Sequence, residues 1–391
     1  MEQTILLCAK YVLCGPELRR MEDGFVAIQG GMIMDCGMLS SEVLARYSHS
    51  TCLDCGELTL MPGLIDAHNH GTLNGHRLDR GVRMCAPRED MLADAVENAR
   101  CDLLSGVTSG RYMGDRDFVD FELARMQSTG EILSPRVFTC GLGMRGVRGS
   151  SYVAVPAEGV QQFRNIAEDN LRRGANHLKI FMTRGIPPTD GSPCEFFLAA
   201  EEVKTVASIA HAAGKRVAAH CIGGTGMDIC LENDVDIIDH VYCATGNQIA
   251  RAASLNRWIC LTPSIFDSPE RVELNPPENK QRIQLTRRIV DESMHLVVES
   301  GIRYAIGTDG YHGRLCDEPL YVKKLGASNL DVLKGITSNA AEMLGQSVIG
   351  AIEDGRYADV IAVEGNPLED LTALRHVRLI MQNGKIIHNK I

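Results

Sequence analysis

The chain has 391 residues, 45% hydrophobic and 23% charged, with a formal net charge of −10. This is the composition of a soluble globular protein, and the length exceeds the ~250–300 residues at which one core stops growing, so a large domain with a small companion is expected. The acidic balance excludes a sequence-independent nucleic-acid binder, which needs a basic face for phosphates, and adhesion to anionic lipid.

The first stretch, "MEQTILLCAKYVLCGPELRR", has no basic region ahead of its apolar run, so no secretory signal is expected. No apolar run approaches the ~20 residues that span a bilayer. The fourteen cysteines are scattered, many in apolar strands such as "VFTCG" and "AAHCI". They read as free thiols of a reducing, cytoplasmic compartment. Residues 1–60 alternate short strands with Gly-containing turns, among them "QGGMI". Residues 350–391 repeat the pattern with "QNGKI", and both ends are expected to form one small β-sandwich domain.

Between them, residues 61–349 alternate eight apolar runs with longer amphipathic segments. The runs are "LIDAHNH", "GVTSGRYM", "RVFTCGL", "HLKIFM", "RVAAHC", "DIIDHV", "ICLTPS" and "RYAIGTDG". Helical patterns such as "REDMLADAVENARCDLLSG" and "AAEEVKTVASIAHAAG" separate them, several ending in Gly. Strand–helix alternation implies parallel strands, and eight such units predict an α/β fold of the (β/α)8 TIM-barrel type. An open doubly wound sheet is the competitor, but no strand–GxGxxG–helix unit appears.

In such a barrel the chemistry lies at the C-terminal ends of the strands. Strand one ends in His68 and His70, strand five in His220, strand six in His240 and strand eight in Asp309, while strand four carries Lys179. Imidazole and carboxylate are ligands for zinc and similar divalent ions, and the one-residue gap puts His68 and His70 on one face of their strand. Singly, His220, His240 or Asp309 reads as a hydrogen-bonded core residue. Jointly, in this order, the six read as a metal site. Lys179 as an ammonium cannot ligate; its carbamate with CO2 offers two oxygens able to bridge a pair of metals. The alternative for Lys179 is a carboxylate partner in the barrel interior, since an unpaired buried Lys is rare. His211, His49, His376, His388 and His177 read as structural or solvated.

In these residues the sequence resembles the amidohydrolase superfamily, over nearly its whole length. "MPGLIDAHNH" looks like the family's metal-binding opening, "HLKIFM" its carboxylated-lysine strand, "AHAAGKRVAAHC" and "DVDIIDH" its strands five and six, and "AIGTDG" its strand-eight aspartate. The tail from "GAIEDGRYADVIAVEGNPLEDL" onward is similar to that of the imidazolonepropionase and prolidase-like branch. The resemblance implies a binuclear centre of two divalent ions, zinc expected, with His68, His70 and Asp309 on one and His220 and His240 on the other. The Lys179 carbamate would bridge them with a hydroxide, and Asp309 would carry the proton to the leaving nitrogen of a hydrolysed amide-type C–N bond.

The resemblance departs after strand three, where "CGLGMRGVRGS" offers Arg145 and Arg148 in place of a Gly-Gly-His element. Either arginine suits a substrate carboxylate; both also read as solvated loop residues. Tyr242 looks like a substrate-contacting tyrosine of related enzymes. The strand-end loops add His76 and Arg77, Arg184, and Tyr311 with His312 as candidates. The expected partner is a small-molecule substrate, with a homo-oligomer left open. Two other functions compete. A single-metal deaminase of an aminated heterocycle wants a strand-five HxxE glutamate, which "HCIGGTGMD" lacks. A non-catalytic scaffold would leave the six ligand residues without a purpose.

Overall fold

Both chain ends build one sheet. In the computed structural model, which describes residues 3–149 and 151–391, the N-terminal strands are β1 (Ile5–Cys14), β2 (Arg19–Gln29), β3 (Met32–Met38), β4 (Thr51–Asp54) and β5 (Thr59–Pro62). The chain then runs through β6 (Leu64–Asn69), β7 (Val107–Tyr112), β8 (Arg136–Phe138), β9 (Gly143–Gly146), β10 (Ala154–Ala157), β11 (His177–Phe181), β12 (Arg216–Gly223), β13 (Ile237–Cys243), β14 (Trp258–Leu261) and β15 (Tyr304–Ile306). It returns through β16 (Val360–Val363), β17 (Val377–Gln382) and β18 (Lys385–Asn389).

The terminal sheet runs β18-β17-β16-β5-β1-β2-β3, with β4 added on β1. Its two halves join where β5 and β16 pair antiparallel, Leu60 opposite Ala362. Leu7, Val12, Val26, Ile33, Val360 and Leu379 form its own apolar cluster. The two hairpin turns fall where the sequence puts Gly. Gly30 and Gly31 in one, and Asn383 and Gly384 in the other, have positive φ, as tight two-residue turns require. They also abut: a side chain on Gly31 would stand 2.9 Å from the Asn383 carbonyl oxygen.

All strand pairs from β6 to β15 are parallel. They form two sheets, β6-β7-β8 and β10-β9-β11-β12-β13-β14-β15. The helices between them, Arg88–Leu104, Gly159–Arg172, Ala200–Ala212 and Pro277–Ser300, coincide with the amphipathic segments of the sequence. An α/β fold with parallel sheets is therefore established. Two backbone bonds run between the sheets: Asn176 N–H donates to the Thr139 carbonyl at 2.8 Å, and Asp309 N–H to that of His68 at 2.8 Å. β9 and β10 fall where the sequence reads as loop. All fourteen cysteines are free, including Cys52 and Cys55 of a CxxC spacing on and beside the edge strand β4. Among the described residues no helix is long and apolar enough to cross a membrane.

Candidate active site

Strand alternation sets the first pair of candidate ligands. His68 and His70 leave β6 on the same face, while Asn69 turns away and donates from Nδ2 to Asp102 at 2.8 Å. His70 Nδ1–H donates to the Gly114 carbonyl at 2.7 Å, which leaves the lone pair on Nε2 and fixes the ring.

Asp309 enters from beyond β15. Its N–H donates to His68 and its carbonyl accepts from Arg271 Nη2 at 2.7 Å. Those bonds hold it at φ 52, a left-handed conformation that a non-glycine residue keeps only where its surroundings over-determine it. Asp309 Oδ1 lies 3.4 Å from His68 Nε2 and 3.4 Å from His70 Nε2. That is long for a hydrogen bond. It matches the edge of a tetrahedron of ligands around an ion with bonds of ~2.1 Å, which is about 3.4 Å. Donor atoms of all three residues lie within 4.8 Å of one another, so the set fits a divalent ion.

The second pair of imidazoles lies beside the first. The His240 ring centroid is 4.7 Å from that of His68 and 4.5 Å from that of His220. His220 Nε2–H donates to the Arg184 carbonyl at 3.2 Å, leaving Nδ1 free. His240 Nδ1 is hydrogen-bonded to Thr262 Oγ1 at 2.8 Å, leaving Nε2. Burial, and after it Lys179, pushes the His220 pKa down to about 4. Burial with the neighbouring His220 carries His240 well below the usual imidazole range. Both are therefore neutral, the form that ligates.

Lys179 is wholly buried and ion-paired with Asp239. Asp239 also accepts from Arg111 Nη2 at 2.8 Å and faces His68 Nδ1 at 3.4 Å. Burial alone would raise the Asp239 carboxyl, but Lys179, His68 and Arg111 together hold it well below the usual range. Burial lowers Lys179 in spite of that partner. The interior carboxylate partner considered for Lys179 thus exists.

A cavity of about 200 Å³ opens on this cluster. His68, His70, His220 and Asp309 line it together with Leu73, Val153, Phe181, Phe197 and Arg145. Arg145 donates from Nε to the Ser151 carbonyl at 3.1 Å and from Nη1 to that of Gly146 at 3.2 Å. Among the described residues it has no carboxylate partner. The other loop candidates are engaged elsewhere. Arg148 is exposed and outside the cavity lining, and Arg184 pairs with Glu195 at 2.7 Å. His76 stacks on Tyr311 at 4.3 Å and bonds to the His312 carbonyl. His312 is buried between Asp102 and the Leu73 carbonyl, both at 2.9 Å. The Tyr242 hydroxyl is bonded to Thr262 Oγ1 at 2.6 Å, behind His240.

Asp239, Arg111, Thr262 and Arg271 escaped the reading of the sequence. Asp239 precedes His240 directly, and in a regular strand the two would face opposite ways. His240 has φ 82 and Val241 φ 50, and this break in the strand turns both side chains inward. The apolar run around "DIIDHV" contained the signal, as a carboxylate with no evident partner; Arg111 in "GVTSGRYM" carried the matching one.

Fold and geometry together define an α/β enzyme with a candidate metal centre at its strand ends. The sequence model of the amidohydrolase family matches residues 59–387, and the chain belongs to that family. Ochratoxinase of Aspergillus niger is 23% identical over 379 residues, covering 88% of this chain and 79% of its own. Imidazolonepropionase of Deinococcus radiodurans is 26% identical over 394 residues, covering 89% and 87%. The crystal structure of a Xaa-Pro dipeptidase with bound methionine in its active site superimposes with a TM-score of 0.84 at 23% identity, over 99% of this chain and 100% of the other. The chain is thus a hydrolase of the amidohydrolase family.

Proposed function

We propose that this enzyme hydrolyses an amide-type C–N bond of a small, carboxylate-bearing substrate at a centre of two divalent ions. His68, His70 and Asp309 would hold one ion, His220 and His240 the other, with the carbamate of Lys179 shared between them. The imidazole-rich donor set makes zinc the expected metal. Bound there, the ions would acidify a water molecule and polarise the scissile carbonyl.

The chain's own residues supply the rest. Burial favours the neutral amine of Lys179, the form that adds to CO2 with loss of one proton. The carbamate is an anion, so Asp239 would give up Lys179 and keep Arg111 as its partner. Asp309 takes the proton of the attacking water and delivers it to the leaving nitrogen. Arg145 receives the substrate carboxylate, and Phe181, Phe197, Val153 and Leu73 receive an apolar group while excluding water. The same reading takes the two parallel sheets as one (β/α)8 barrel of residues 61–349, with residues 1–60 and 350–391 as a small β domain. The two backbone bonds between the sheets support the first part, and the pairing of β5 with β16 the second.

The observation that carries the reading is the Asp309 carboxylate, equidistant from two imidazoles and open to a cavity that also holds an arginine with no acidic partner among the described residues. A panel of N-acyl amino acids and dipeptides, each with a free and an amidated carboxyl group, tests it. Arg145→Ala should raise KM about 10–100-fold for the free acids with kcat little changed, the size of a lost hydrogen bond to a charged group. The carboxamides should be unaffected. Equal losses on both series would refute the carboxylate assignment.

A further inference from the structure

A second cavity, of about 250 Å³, lies at the opposite ends of the strands from the candidate active site. β11 and β12 begin here, with His177 opposite Arg216 in register, and residues 343–346 help line it. Its charged lining consists of Arg111, Lys215 and Arg216 with His177 beside them, and no Asp or Glu among the described residues.

These cations are only partly compensated. Arg216 Nη1 donates to the Glu342 and Met343 carbonyls, at 2.7 and 2.6 Å, and the Asp236 and Glu342 carboxylates act on it from nearby without a direct ion pair. Lys215 has no ion pair among the described residues. Arg111 has one carboxylate partner, Asp239, which also pairs with Lys179 while that lysine is unmodified. Two buried atoms of the lining residues also lack any hydrogen-bond partner: Arg111 Nη1 and His177 Nε2. The residues are 1% and 5% exposed, so the missing partners are not bulk water. Leaving such groups unpaired forfeits their hydration with nothing in return. A bound water would satisfy the hydrogen bonds and leave the charge. An apolar ligand would satisfy neither, and a cation would be repelled.

We propose that this cavity is a binding site for a small inorganic oxyanion, of the phosphate or bicarbonate kind, held by Arg111, His177, Lys215 and Arg216. An oxyanion answers both deficits at once, because guanidinium groups pair with its oxygens in charge-assisted hydrogen bonds. The site is separate from the catalytic cavity and does not depend on the function proposed above.

Calorimetric titration of the full-length, metal-loaded protein with sodium phosphate, at constant ionic strength, tests the proposal. A saturable phosphate site should appear whose affinity falls about tenfold or more in Lys215→Glu and in His177→Leu, as expected for a lost charge-assisted contact. Arg145→Ala, at the other cavity, should leave that site intact. Lys215→Glu alters a partly exposed side chain at the start of β12, so it keeps the test open if His177→Leu fails to fold. Bicarbonate as a second titrant tells a planar from a tetrahedral oxyanion. The proposal is overturned if neither anion binds saturably, or if every site found is indifferent to Lys215→Glu and His177→Leu.

Discussion

The proposed function sets two demands on Asp309, to hold an ion and to move a proton. Burial would raise its carboxyl, but His68 and His70 hold it well below the usual range, so it stands ionised, the form that both roles require. Asp309→Asn keeps a ligating oxygen and removes the base. The variant should retain most of its metal while kcat falls about 10²–10⁴-fold, the range of a lost general base; metal analysis and kcat on the best substrate of the panel check this together. Glu318 shows the reverse balance. It is fully buried behind the site, accepts from Ser264 N–H at 3.0 Å, and burial pushes it up from 4.5 to about 8. The folded chain therefore keeps the proton to about pH 8, whereas the unfolded chain loses it near 4.5. Stability from this group is complete below about pH 4.5 and is lost as pH rises towards 8. Glu318→Gln mimics the protonated acid, so its Tm should fall less between pH 5 and pH 8 than that of the wild type. A parallel fall in both would contradict the assignment.

Among the elements, what could be read in advance was what depends on periodicity. The eight apolar runs each contain a strand, and the four long amphipathic segments are helices, because burial of one helix face and of whole parallel strands writes a pattern in the chain. His68 and His70 were legible for the same reason, a spacing of two. Breaks in periodicity were not legible. β9 and β10 are short strands in a Gly-rich stretch, and the inward turn of Asp239 beside His240 rests on a left-handed backbone that no local residue announces. Long side chains were harder still: Arg111 and Arg271 reach their partners across the fold, Asp239 from β7 and the Asp309 carbonyl from Pro269–Glu273. Close approach leaves a trace only as glycine. Gly307 follows β15, and a Cβ there would stand 2.3 Å from His68 N and 2.6 Å from its Cβ. Gly307→Ala should push β6 away from Asp309, costing about 1–3 kcal/mol in urea unfolding and weakening metal retention on dialysis. Wild-type behaviour in both would show that the contact does not hold the ligands.

On the scale of the whole molecule, the two chain ends meet in one sheet, and β5 leads from that sheet directly into β6 and its two histidines. The terminal strands thus anchor the first strand of the site, while the C-terminal strand ends gather His68, His70, His220, His240, Lys179 and Asp309 from positions up to 241 residues apart in sequence. Lys179 is an ion-pair partner of Asp239 when unmodified, and the proposed function makes it a shared ligand once carbamylated. A crystal structure of the protein grown with zinc and bicarbonate decides between the two. Two anomalous peaks about 3.5–4 Å apart are expected, with density continuing from Lys179 Nζ to carbamate oxygens at ~2.0–2.2 Å from the ions. A single ion beside an unmodified Lys179 still paired with Asp239 would contradict the proposed function.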